Sequence, residues 1–175
     1  MTFFQQIAET FHMTDAVWER HANPWSVWTR YAGLPLLVLA IWSRVWLGGW
    51  AIAPVILTIL WMWLNPRAFS KPPTTHHWAS KAVLGERVWL NHEAVPIPPH
   101  HRPMITFTNM VNAIGFVICL WGLWSLQLWP TLLGLSWVIL GKTWFLDTPQ
   151  EWLCHRMVWV FEDMQEHPQY RDWLY

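Results

Sequence analysis

Residues 65–106 read NPRAFSKPPTTHHWASKAVLGERVWLNHEAVPIPPHHRPMIT. Long apolar runs flank this stretch on both sides. It holds five of the chain's nine histidines, seven of its thirteen prolines and five of its eleven Lys/Arg residues: Arg67, Lys71, Lys81, Arg87 and Arg102. A polar segment this dense between two apolar hairpins is where function is expected to sit. The alternation of apolar hairpin, polar segment and apolar hairpin decides the fold class: all-α and integral to a membrane.

Working outward, residues 50–64 (WAIAPVILTILWMWL) and 31–47 (YAGLPLLVLAIWSRVWL) form one apolar pair, joined at Gly48-Gly49. Residues 107–128 and 129–146 form the other. The first two runs are short against the roughly 20 residues that cross a bilayer core. A re-entrant hairpin is therefore the alternative for residues 50–64. Arg44 is expected to snorkel outward, with Trp46 and Trp50 as interfacial anchors. Asn65-Pro66 is expected to stop the second run. Asn23-Pro24 opens the element before the first run, as a cap and a first helical position.

The outermost segments are mixed. Phe3, Phe4, Ile7 and Phe11 fall at helical spacing, so residues 2–21 read as an amphipathic helix, either lying in the interface or packed as a soluble-type helix. Thr148-Pro149-Gln150-Glu151 is a helix-start signal, and a C-terminal amphipathic helix is expected over residues 149–166.

The composition supports this reading. The chain of 175 residues fits a single domain, and 54% hydrophobic with 13% charged is far from the about 25% charged of a soluble domain. Eighteen tryptophans suit membrane–water interfaces, where an apolar ring and a polar N–H are both satisfied. A net charge of zero gives no electrostatic case for nucleic acid. Cys119 lies in an apolar run and Cys154 in a polar tail, so no disulfide is expected. No basic region precedes the first apolar run, so no cleavable signal peptide is expected.

Four spans put both tails and the central segment on one side. Arg20, Arg30, the five central cations, Lys142, Arg156 and Arg171 all fall there, and only Arg44 lies opposite. By the positive-inside rule that side is cytoplasmic. The expectation is a multi-pass inner-membrane protein with both termini in the cytoplasm.

Residues 78–90 read as a helix with an apolar stripe of Trp78, Ala82, Gly85 and Trp89, and with Ser80 on the opposite side. It is expected to lie in the interface and present Lys81 and Arg87 to headgroups. Lys142, Asn109 and Asn112 are polar groups at the membrane boundary, and Lys142 could pair with Asp147 or Glu162 or could snorkel. Arg156 and Asp163 share a helix face with Trp159 between them, the pattern of a structural ion pair. The histidines His76, His77, His92, His100, His101 and His155 invite a metal, but no helix-borne ligand spacing accompanies them, so no metal is assigned. Glu151 and His155 are four apart on a helix, and the capping box already explains Glu151. There is no P-loop, GxGxxG, GxSxG or CxxC motif.

Four stretches together carry a resemblance: residues 23–30 (NPWSVWTR), 65–69 (NPRAF), 78–89 (WASKAVLGERVW), and 141–145 with 156–164 (GKTWF, RMVWVFEDM). They resemble an uncharacterised family of small Trp-rich prokaryotic membrane proteins. The resemblance implies that Asn23, Ser26, Arg30, Asn65, Arg67, Lys81, Glu86, Arg87, Lys142, Arg156, Glu162 and Asp163 lie on the family pattern. Residues 148–155 and the His76-His77 pair depart from it. The resemblance brings no activity with it.

The function expected is binding of an anionic amphiphile, a phospholipid or an isoprenoid phosphate, at the cytosolic interface. Arg30, Arg67, Lys81, Arg87, Arg102, Lys142 and Arg156 would hold its headgroup. Glu86, His101, Glu162 or Asp163 would move any proton. The competing class is a non-catalytic accessory or structural subunit of a larger membrane complex, its Trp-rich faces packed against partner helices or a pigment-like cofactor; a homo-oligomer also stays open. A transporter is disfavoured, because the runs carry no mid-membrane acid. The sequence specifies no cofactor and leaves open whether the protein is an enzyme.

Overall fold

The computed structural model describes residues 14–146 and 156–175. The described residues are helical, with no strand among them. Helix α1 is Asp15–His21, α2 is Pro24–Trp42, α3 is Arg44–Leu47 and α4 is Ile52–Ala68. Helix α5 is Trp78–Leu90, α6 is Arg102–Ser125, α7 is Leu128–Leu146 and α8 is Arg156–Met164. Short 3₁₀ turns occupy Gly48–Ala51, Pro99–His101 and Arg171–Trp173.

Two hairpins dominate, α2 against α4 and α6 against α7. The Asn23 side chain caps α2 by accepting from the Trp25 N–H at 3.0 Å, with Pro24 at the first position. The hairpin tips turn on Gly48 (φ 54°) and on Leu126 (φ 53°). At the second tip the Gln127 N–H returns to the Gly122 carbonyl at 2.9 Å, a Schellman-type ending that satisfies an orphan carbonyl. Helices α6 and α7 approach backbone to backbone: a Cβ on Gly134 would sit 2.6 Å from the Gly115 carbonyl oxygen. Such small-residue contacts are how apolar helices associate where lipid removes the hydrophobic drive.

Two segments, Pro24–Ala68 (the first hairpin) and Pro99–Ser125, are long and apolar enough to cross a membrane. Their outer faces stay exposed, with Leu36, Leu39, Ile56 and Leu57 on the first hairpin and Phe116, Val117 and Leu120 on α6. Exposed Trp46, Trp50, Trp124 and Trp129 ring the hairpin tips.

The polar layer packs across the other end. Helix α5 lies against α8, α1 and α2, and its Ala79, Ser80, Ala82, Val83, Leu84, Gly85 and Val88 are all buried. The main core joins Ala82, Leu84 and Val88 of α5 to Met157, Val160 and Phe161 of α8. The C-terminal residues cover it: Tyr170 is buried, and Thr75 donates to the Trp173 carbonyl at 3.0 Å.

Several sequence expectations change here. Helix α5 buries more than the one expected stripe: Ala79, Ser80, Val83, Leu84 and Val88 are buried along with Ala82 and Gly85. Ser80, expected opposite that stripe, is buried and donates to the Ala22 carbonyl at 2.7 Å. Helix α4 runs through Pro66 to Ala68 instead of stopping at Asn65-Pro66. The anchored Asn65 side chain described below outweighs the one hydrogen bond that Pro66 forfeits. Arg44 does not snorkel: it donates to the Leu123 carbonyl and, at 3.2 Å, to the Trp124 carbonyl, capping α6 and tying the hairpins together. The amphipathic helix expected over residues 2–21 falls within the described residues only as α1. The capping box, Glu151, Cys154 and His155 lie outside them.

Candidate functional site

A cavity of about 290 Å³ opens where the polar layer meets the hairpins. Six helices line it. Leu34 of α2, Met62 of α4, and Val138 and Ile139 of α7 form its apolar wall. His21 of α1, Arg30 of α2, Glu86 of α5, Asn112 of α6 and Lys142 of α7 form its polar end. A cavity with one apolar and one charged end is shaped for an amphiphile.

The polar end is held by a directed chain of hydrogen bonds. An arginine can only donate, so the Arg30 guanidinium donates to His21 Nε2 at 2.6 Å. His21 Nδ1 then carries the proton and donates to Ser26 Oγ at 2.9 Å. Ser26 donates to Asn65 Oδ1 at 2.9 Å, and the Asn65 amide donates to Thr29 Oγ1 at 2.7 Å. Thr29 ends the chain on the Trp25 carbonyl at 2.7 Å. Both ends are fixed in sense, one a pure donor and the other a pure acceptor. The neutral Nδ1–H tautomer of His21 follows from that.

Burial and the Arg30 cation push the His21 pKa down to about 3. An unfolded histidine titrates near 6.5. The unfolded chain therefore binds the proton more readily. The contribution of His21 to stability is complete above about pH 6.5 and is lost as pH falls toward about 3. Thermal melts of the detergent-solubilised protein from neutral pH to pH 4.5 are expected to show a falling midpoint, with a slope of at most about 1.4 kcal/mol per pH unit from this one group. His21→Gln, which keeps an acceptor for Arg30, should flatten that slope. An unchanged slope would remove His21 from the account.

Glu86 accepts from Lys142 at 3.1 Å, and its side chain is 26% exposed. Burial acts to raise its carboxyl pKa, but the Lys142 and Arg30 cations outweigh it and hold Glu86 below the usual carboxylate range. Among the described residues, the cavity end thus carries two cations and one carboxylate beside a neutral imidazole. Asn112 Oδ1 is buried beside Gly141 and accepts no hydrogen bond from the described residues.

Of the residues singled out from sequence, Arg30, Glu86, Asn112 and Lys142 meet at this cavity, and Ser26 and Asn65 join the hydrogen-bond chain behind it. The others go elsewhere. Lys81 pairs with Glu162 at 2.6 Å and bridges α5 to α8. Arg87 pairs with Asp15 and lies 4.0 Å over the Trp173 ring. Arg67 lies 4.3 Å over the Trp63 ring and donates to the Trp63 carbonyl at 2.6 Å. Arg102 is exposed at the start of α6. His101 is buried and donates to Asp163 Oδ2 at 2.8 Å, so Asp163 faces the loop before α6. The backbone of Arg156 belongs to α8, but its side chain lies outside the described residues. Lys142 pairs with Glu86 and Glu162 pairs with Lys81, while Asp147 lies outside the described residues. His77 caps α5 by accepting from the Ala79 N–H at 3.2 Å, and His92 stacks on Trp89 at 4.2 Å.

Residues 2–168 match the sequence pattern of a family of unknown function, DUF6653. The chain belongs to that family. The match spans all four stretches on which the resemblance was read. No curated protein and no solved structure matches the chain.

Sequence reading missed His21. A histidine two residues before Asn-Pro looks like an exposed helix end; its partners Ser26 and Arg30 lie five and nine residues away, and the next link, Asn65, lies thirty-nine residues beyond Ser26.

Proposed function

We propose that the protein binds an anionic amphiphile, a phospholipid or an isoprenoid phosphate, in the cavity between α2, α5 and α7, from a membrane it crosses four times with both termini in the cytoplasm. The observation that carries this reading is the cavity itself, with aliphatic walls on the hairpin side and Arg30 and Lys142 at the polar end. The acyl or prenyl part lies along Leu34, Met62, Val138 and Ile139. The phosphate lies against Arg30, whose bond to neutral His21 fixes the guanidinium without spending a carboxylate on it. An arginine so held gives directional contacts to a phosphate. Among the described residues, Glu86 is the carboxylate that lines the cavity, and it would move a proton if the bound lipid reacts.

The test is retention of phosphatidylglycerol against phosphatidylcholine by the purified protein, read by native mass spectrometry. The wild type should keep phosphatidylglycerol in preference. Arg30→Gln still donates to His21 but lacks the charge, and should weaken retention roughly tenfold or more. Equal retention of both lipids by the wild type, or no effect of the substitution, overturns the reading. A reproducible second protein chain in the same spectra would support the accessory-subunit alternative instead.

A further inference from the structure

Away from the cavity, His100, His101 and Asp163 converge. His101 Nε2 lies 2.8 Å and His100 Nε2 3.3 Å from the same oxygen, Asp163 Oδ2. The three ligand atoms all fall within 4.8 Å of one another. The two imidazoles sit face to face, tilted, with centroids 4.1 Å apart. Two rings that aim the same nitrogen at one carboxylate oxygen need not do so to form an ion pair, since one ring suffices. The geometry points to a divalent transition-metal site, with zinc as the best match.

The donor set is two imidazole nitrogens and one carboxylate oxygen, which suits zinc and its first-row neighbours. Tetrahedral zinc at about 2.0–2.2 Å from each ligand separates those ligands by about 3.4 Å. The separations from Asp163 Oδ2, 2.8 and 3.3 Å, must lengthen by about 0.6 and 0.1 Å, and the two imidazole nitrogens, within 4.8 Å of each other, must settle to the same spacing. The two halves of the set come from rigid parts. The histidines sit in the 3₁₀ turn Pro99–His101, with prolines on both sides of it. Asp163 sits on α8, which the main core locks against α5. His101 is fully buried, whereas His100 and Asp163 are 63% and 43% exposed. The site is therefore closed on one side and open on the other, so water can complete the coordination. Bound zinc would replace the two N–H···O contacts and would staple the loop before α6 to the C-terminal helix.

The experiment uses the full chain, tag-free in mild detergent, stripped with a chelator and reloaded with Zn²⁺. Zinc per chain is measured by elemental mass spectrometry after desalting, and the thermal midpoint is measured with and without Zn²⁺. The wild type should retain stoichiometric zinc and melt higher with it. Asp163→Asn keeps the shape and an acceptor oxygen, so the fold should survive while zinc affinity falls more than a hundredfold, beyond the roughly 10–100-fold that an outer-shell change alone can bring. His100→Gln alters an exposed ring and should give the same loss, which keeps the test valid if Asp163→Asn misfolds. A wild type that keeps no more zinc than these variants, or whose midpoint ignores Zn²⁺, overturns the inference. So does zinc retained in full by His100→Gln, because the remaining histidines would then be its source.

Discussion

Gly85→Ala is expected to lower the thermal midpoint by roughly 10 °C. An added Cβ would overlap the Met157 carbonyl and sit 2.6 Å from its carbon and 3.1 Å from Met157 Cα. The obstacle is backbone, so no rotamer change can relieve it, and α8 must move off α5. Overpacking of this kind costs about 3 kcal/mol, and a chain of this size shifts roughly 2–4 °C per kcal/mol. The effect should be local as well as global. Proteolysis should cut the C-terminal segment first, since α8 and the residues after it form the far wall of that core. Gly49→Ala is the control. Nothing lies within 4 Å of a Cβ there, so its midpoint should stay at the wild-type value. If Gly85→Ala melts with the control, then α5 and α8 do not pack as described.

The second large effect concerns sign. Glu86 and Lys142 form an ion pair at the cavity end, so an anionic headgroup must compete with Glu86 for Lys142. Lys142→Gln should weaken phosphatidylglycerol retention by roughly tenfold to a hundredfold, the range for one charge-assisted hydrogen bond of about 1.5–3 kcal/mol. Glu86→Gln should strengthen it, because it removes the competitor and leaves both cations. A purely structural ion pair predicts something else, since breaking it from either side would destabilise the protein and lower retention in both variants. Opposite signs support a binding site. Matching losses would reduce the pair to a helix-to-helix tie.

Local patterns carried much of the fold. Asn23-Pro24 opens α2, Gly48 turns the first tip, and residues 78–90 form a helix, each because the determining interaction lies within a few residues of chain. The face that each helix buries was less legible. Ser80 read as outward because polar residues usually are, yet the Ala22 carbonyl, 58 residues earlier, receives its hydroxyl. Arg87 and Arg67 read as headgroup binders because cations near a membrane usually are. Asp15, Trp173 and Trp63 hold them instead.

The sequence by itself determined an all-α chain of apolar hairpins around a polar layer, with tryptophan at the boundaries, because composition and periodicity are set residue by residue. It also put Arg30, Glu86 and Lys142 among the polar groups that bear on function. Only the tertiary structure decided which of those groups meet. It joined Arg30 to His21, Lys142 to Glu86 across 56 residues, and His101 to Asp163 across 62. Such pairings have no local spacing to announce them. They arise because packed helices bring distant buried polar groups together, and each such group must then find a partner there.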